Sequence, residues 1–219
     1  MRDNCPHWHR GRLLYTAGLL NFAAGIARGE RCLSTHTNGI LMAKYLKIGD
    51  VELRTLEPED FSIIHRWEDE IDAWMANNAS APFSRNTLWR YLENYNCDIY
   101  STHEVRMVVM LAGEPVGMVD VFNFDPMNSR VEIGVFVGAE HRRSGVGETA
   151  VRIATENYCF GRLNLHQVYC TVRCSNAAAL ALFRSAGFAD EVVLKDWLSC
   201  GNGTFEDAVM LRAFSRTDK

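Results

Sequence analysis

The sequence has no apolar run near the roughly 20 residues needed to cross a bilayer, no C-x-x-C pair, no internal repeat and no low-complexity tract. Each absence removes a class. Without a spanning run, no transmembrane helix and no membrane partner are expected. The seven cysteines (Cys5, Cys32, Cys97, Cys159, Cys170, Cys174 and Cys200) are odd in number and widely spread, so reduced thiols in a cytoplasm fit better than a zinc site or a disulfide framework. No metal is expected. No loop ends in Gly-Lys-Ser/Thr and no Gly-x-Gly-x-x-Gly follows a first strand, which leaves out a Walker A loop and a dinucleotide fingerprint. No Ser-His-Asp or Cys-His set stands out, so covalent catalysis is not expected.

What is present suits one well-packed domain: 219 residues, 47% of them hydrophobic and 23% charged. The net charge of −4 is unevenly spread. Before Met42 five arginines (Arg2, Arg10, Arg12, Arg28 and Arg31) face only Asp3 and Glu30, and the rest of the chain is net acidic. An acidic body is a poor nucleic-acid binder and a plausible host for a cationic substrate, although a charged surface also serves solubility alone. Residues 1–41 loosely imitate a targeting peptide, but Asp3, Asn21 and the glycines dilute the pattern. The expectation is a non-catalytic extension over 1–41, with a short helix over Leu13 to Arg28 or disorder, followed by a catalytic domain over 42–219 for which Met42 is the natural start.

Val51 to Leu56 alternates as a strand, and Glu57-Pro58-Glu59-Asp60 starts a helix carrying Phe61, Ile64 and Trp67 at helical spacing. A second helix follows Pro82-Phe83-Ser84, with Leu88, Tyr91 and Leu92 as its apolar positions. Val105 to Leu111 and Val116 to Phe122 read as a hairpin around Ala112-Gly113-Glu114-Pro115, and Val131 to Val137 adds a third strand to this meander. A long helix from about Gly145 to Arg162, a strand Gln167 to Arg173, a helix Asn176 to Ala186 capped by Gly187, and a hairpin of Val192 to Leu198 with Phe205 to Arg212 complete the order. The fold class is α+β, with a mixed, mostly antiparallel sheet of about seven strands flanked by helices.

The loop before the long helix carries Arg142-Arg143-Ser144-Gly145-Val146-Gly147, an Arg-x-x-Gly-x-Gly pattern. Glycines there let successive backbone N–H groups turn toward one point. At a helix N-terminus those groups lack intrahelical partners and carry the positive end of the dipole, so a pyrophosphate fits. Arg142 and Arg143 add charge-assisted contacts. The bland alternative is a glycine loop that serves packing.

The stretch Ala139 to Gly147 resembles motif A of the GNAT N-acetyltransferases. Downstream, Leu163-Asn164-Leu165-His166-Gln167-Val168-Tyr169 and Asn176-x-x-Ala179-x-x-Leu182-Phe183-Arg184-x-x-Gly187-Phe188 resemble the next motifs, in the subgroup that holds spermidine N-acetyltransferase and the ribosomal-protein N-terminal acetyltransferases. The resemblance spans about Lys47 to Phe214. It implies a GNAT fold whose fourth and fifth strands (Val131 to Val137 and Gln167 to Arg173) splay apart. It also implies acetyl-CoA as co-substrate, held by Val135, Phe136 and Val137, by Arg142, Arg143, Ser144, Gly145, Val146 and Gly147, and by Asn176. Asn176 also reads as an ordinary N-cap.

An alkyl amine with a pKa of about 10.4 is almost wholly protonated at neutral pH, so a base is needed. Glu132 is the first choice, because related enzymes place a carboxylate there; the alternative is a structural strand carboxylate. In the spermidine acetyltransferases a tyrosine protonates the leaving thiolate, and here its position holds Phe183. Tyr169 is a substitute candidate, with core packing as its alternative reading. Tyr169 and Cys170 must face opposite sides of their strand.

For a polycationic acceptor, Glu68, Asp69 and Glu70 with Asp72 form the most acidic stretch, and Asp120 and Asp125 supplement it; a solvated helix face is the alternative. Trp67, Trp74 and Trp89 line that side or simply pack. A polyamine, diamine or similar small amine is therefore the expected substrate. The rivals are a protein N-terminus, whose lower pKa asks less of the catalyst, and a non-catalytic acyl-CoA-binding protein. A homo-oligomer is an open expectation.

Overall fold

The computed structural model describes residues 45–68, 84–201 and 203–216. The expected helix over Leu13 to Arg28, the division at Met42, and Asp69, Glu70, Asp72 and Trp74 lie outside them.

The strands are β1 (Lys47–Ile48), β2 (Val51–Thr55), β3 (Val105–Leu111), β4 (Glu114–Asp125), β5 (Arg130–Val137), β6 (Gln167–Arg173), β7 (Asp190–Ser199) and β8 (Phe205–Phe214). They form one sheet in the order β1-β2-β3-β4-β5-β6-β8-β7. Every neighbouring pair is antiparallel except β5 with β6. A parallel pair needs a crossover, and the long helix between the two strands supplies it. The eighth strand is the two-residue β1, too short to show a period.

The helices are α1 (Phe61–Glu68), α2 (Arg85–Glu93), α3 (Ile99–Thr102), α4 (Val146–Arg152, continuing as a π-helical stretch Ile153–Arg162) and α5 (Ala177–Ser185). A 3-10 turn, Pro58–Asp60, leads into α1, with Pro58 at its first position and the Asp60 carboxylate accepting from the Glu57 N–H. Asp60 is also gripped at both oxygens by Arg54 of β2, at 2.7 Å each, which fixes where α1 begins.

The sheet has two covered faces. Val105, Met107 and Val109 of β3, Val119 and Val121 of β4 and Val131 and Ile133 of β5 pack against α4 and α5. The alternate residues Val108, Met118 and Phe136 pack against Ile64 and Trp67 of α1 and Leu88, Tyr91 and Leu92 of α2. This period of two puts Glu132 and Gly134 on the α1/α2 face with Phe136.

Two boundaries depart from the sequence reading. The β3–β4 hairpin turns at Ala112 and Gly113, both at positive φ, and Pro115 lies inside β4. Proline is tolerated there because it sits near the strand start beside a register shift at Val109/Met110. β4 also runs on to Asp125 instead of stopping near Phe122, because a bulge between Phe122 and Asp125 absorbs an extra residue.

Candidate active site

β5 and β6 are paired only at Arg130 with Gln167, Val131 with Val168 and Glu132 with Tyr169. Beyond that register the strands part, while β5 stays paired to β4 through Val135 with Val119, Phe136 with Met118 and Val137 with Gly117. The expected splay is therefore present, and Glu132 and Tyr169 sit at its apex. Val135, Phe136 and Val137 form the β5 side of the gap, and α4 begins just beyond them.

The loop that leads into α4 has the geometry its sequence suggests. Gly145 is the N-cap residue at φ +83°, a left-handed conformation that side chains resist, and no side chain caps the helix. The first intrahelical bond is Thr149 N to Gly145 O, so the N–H groups before it point out of the helix end. An added Cβ on Gly145 would meet nothing within 4 Å, which means the space above the loop is open. Gly147 is different. A Cβ there would lie 2.8 Å from Leu182 Cδ1 and 3.2 Å from Val137 Cγ2, so this glycine lets α4 pack against α5 and β5. Arg143 is exposed at φ +64°. Arg142 donates Nε to Val137 O at 3.0 Å, and Ser144 donates its hydroxyl to His141 O at 2.6 Å. Asn176 caps α5, its Oδ1 accepting from Ala179 N at 3.0 Å.

At the apex, Glu132 is 5% exposed. Its Oε2 accepts from Asn123 Nδ2 at 2.8 Å, whereas Oε1 is buried with no hydrogen-bond partner of good geometry among the described residues. Burial raises the Glu132 pKa above the ordinary carboxylate value, and the nearby Asn123, Thr171 and Tyr169 groups offset this only in part. The Tyr169 hydroxyl is pushed up to about 12, first by burial and then by the Glu132 charge. A carboxylate of raised basicity beside a phenol that stays protonated has the chemistry a base and acid pair would need. Cys170 is fully buried on the opposite side of β6, as alternation requires.

Phe183 offers no hydroxyl. It is buried in the core, edge-on to the Phe188 ring at 5.2 Å. His166 lies at the strand entrance against the Phe214 ring, a packing role.

A second polar cluster lies on the same sheet face. Asp120 pairs diagonally across from Glu132, its register partner being Gly134. It is buried, and Arg106 holds both of its oxygens, through Nε at 2.6 Å and Nη2 at 3.2 Å. Arg106 also reaches Glu68 Oε1 at 3.4 Å and lies over the Tyr91 ring at 5.8 Å. The Arg106 guanidinium thus lies between two buried carboxylates. Asp125, by contrast, caps the β4–β5 turn through Asn128 and pairs with Arg130. Trp67 is buried against Phe136, and Trp89 is exposed beside Phe61.

Sequence reasoning missed Arg106 and Asn123. Arg106 left a signal, a lone charge inside the apolar run Val105 to Leu111. Asn123 left none, since its placement depends on the bulge. Among the described residues no group of three or more His, Cys, Asp and Glu is placed to hold a metal ion, and no helix is long and apolar enough to cross a membrane.

A family model described as the Acetyltransferase (GNAT) domain matches residues 50–189. The spermidine N(1)-acetyltransferase of Escherichia coli K12 is 27% identical over 167 residues, 75% of this chain and 86% of that protein. The spermidine N-acetyltransferase of Vibrio cholerae, solved in complex with CoA and spermine, superposes with a TM-score of 0.66 at 26% identity, covering 76% of this chain and 96% of that one. A dodecameric structure of the V. cholerae enzyme gives 0.61 at 27% identity, over 75% and 94%.

Proposed function

The chain belongs to the GNAT acetyltransferase family and is an acetyl-CoA-dependent N-acetyltransferase, and we propose that its acceptor is a primary amine of a polyamine or diamine. The observation that carries the reading is that three buried carboxylates, Glu68, Asp120 and Glu132, lie on the α1/α2 side of the sheet, an environment suited to an acceptor that carries ammonium groups. The spermidine acetyltransferases among its relatives support the same substrate class.

In this reading the pyrophosphate of acetyl-CoA rests on the N–H groups of Gly145 to Gly147, with Arg142, Arg143 and Ser144 around it and Asn176 on the far wall. The pantetheine arm lies along Val135, Phe136 and Val137. The acceptor enters from the α1/α2 face, and Asp69 and Glu70, next in sequence after Glu68, are candidates for binding it. Glu132 takes a proton from the amine, whose nitrogen attacks the thioester carbonyl; the N–C bond forms, the C–S bond breaks, and Tyr169 gives its proton to the departing sulfur. Holding amine and thioester at attack distance supplies much of the acceleration.

A protein N-terminus is the second reading, favoured by one residue. Phe183 has no hydroxyl where the spermidine acetyltransferases carry their tyrosine, and an α-amine of pKa about 8 needs less proton management. We also place the enzyme in the cytoplasm, in keeping with Cys97, Cys159, Cys170, Cys174 and Cys200 as free thiols, divide the chain into an extension over 1–41 and a catalytic domain over 42–219, and expect a homo-oligomer. The test is CoA release from acetyl-CoA by the purified protein, given spermidine, a diamine or a peptide with a free N-terminus. Release with spermidine or the diamine is expected; release with the peptide alone selects the second reading.

A further inference from the structure

We propose that Asn123 is a positioning residue for the base: its amide holds Oε2 of Glu132, so that Oε1 is the oxygen offered to the incoming amine. The inference rests on Glu132 as the base.

The bulge in β4 is what makes this possible. Phe122 is the register partner of Glu132 and Asp125 that of Arg130, so two residues of β4, Asn123 and Phe124, stand opposite Val131 alone. Val119 and Val121 point into the core beneath α4 and α5. Simple alternation would send Asn123 there too, but the extra residue breaks the parity and Phe124 takes that place instead. Asn123 adopts φ +52°, a left-handed conformation that asparagine tolerates better than most residues, and turns to the Glu132 side. There its Nδ2 donates to Oε2 at 2.8 Å. An amide donor fixes the carboxylate rotamer without adding a charge. Oε1 remains buried and unpartnered among the described residues, beside the Tyr169 and Thr171 side chains.

Among the described residues, the other groups that bear on the Glu132 carboxylate are uncharged. From β6 it is faced by the neutral hydroxyls of Tyr169 and Thr171, with the buried Cys170 thiol between them on the far side. Asp125 and Arg130 pair with each other at the β4–β5 turn, and Asp120 and Glu68 are held by Arg106. A change at Asn123 therefore reads out at Glu132 itself.

The test is a carboxyl ¹³C titration of the full chain labelled at glutamate, with the Glu132 signal assigned by its loss in Glu132→Gln. Asn123→Gly keeps the left-handed backbone and removes the amide, so the Glu132 midpoint should rise by about one pH unit, as loss of a hydrogen bond to a charged group requires. Asn123→Asp should raise it further by like-charge repulsion, and it serves alone if the glycine variant does not fold. With spermidine as acceptor, both should lower kcat at neutral pH and recover as pH rises, leaving KM for acetyl-CoA unchanged. An unchanged midpoint overturns the inference. Failure of the base itself looks different: Glu132→Gln would then keep the parent rate and pH profile, whatever the titration of the Asn123 variants.

Discussion

Glu132 and Tyr169 face each other across the last paired register of the only parallel strand pair among the described strands, where β5 and β6 begin to part. A buried carboxylate and a phenol thus share the narrow end of the gap whose wide end lies beside the N-terminus of α4.

Replacing Glu132 with Gln should lower kcat by about 10²- to 10⁴-fold at neutral pH and by less at alkaline pH, where the amine is already free. It should also stabilise the fold. Because the folded pKa lies above the unfolded value of 4.5, the native state loses stability as pH rises from there through the raised folded value, a loss the neutral amide avoids. Melting curves should coincide in acid and diverge in favour of the variant at neutral pH; coincidence throughout removes the burial cost.

Tyr169→Phe keeps the ring and deletes the donor. A fall in kcat of at least about tenfold, with an unchanged Kd for acetyl-CoA by calorimetry, is expected of a general acid. A variant as fast as the parent would leave the thiolate to depart without help.

Gly145→Asp should weaken acetyl-CoA binding by more than about tenfold through repulsion of the pyrophosphate. Gly145→Ala is the control, because its Cβ enters open space and its cost of about 1–2 kcal/mol comes from the φ of +83°. Its Tm should drop with little change in affinity. Equal affinity for the Asp variant and the parent would move the cofactor off this loop.

Arg106→Met removes the guanidinium from two buried carboxylates and should cost about 3–5 kcal/mol in chemical denaturation at neutral pH. A loss well under that range would mean that packing against the Tyr91 ring, and not the ion pairs, is what Arg106 provides.

Gly117→Ala places a Cβ onto the Phe136 carbonyl oxygen, a backbone atom held by the β4–β5 ladder. A loss of about 2–3 kcal/mol and a lower Tm are expected, since neither strand can move without disturbing the gap.

Much of the fold was legible because it repeats. Ile64 and Trp67 in α1, Leu88 and Tyr91 in α2 and the alternating β3, β4 and β5 residues each announce a buried face by spacing alone. The glycine loop was legible too, as Gly145 answers to a local backbone need. The sequence did not separate Gly145 from Gly147, whose neighbour Leu182 comes from a helix 35 residues on.

What the sequence determined by itself, then, was the order of elements, their inner and outer faces and the loop at the start of α4, all properties of neighbours along the chain. The tertiary structure alone decided the pairings that give those residues chemistry. Glu132 is ordinary until Tyr169 lies in register beside it and a bulge turns Asn123 onto its oxygen. Asp120 looks like a free carboxylate until Arg106, fourteen residues earlier, closes on it. Burial and charge depend on what surrounds a side chain, and those surroundings come from strands distant in sequence.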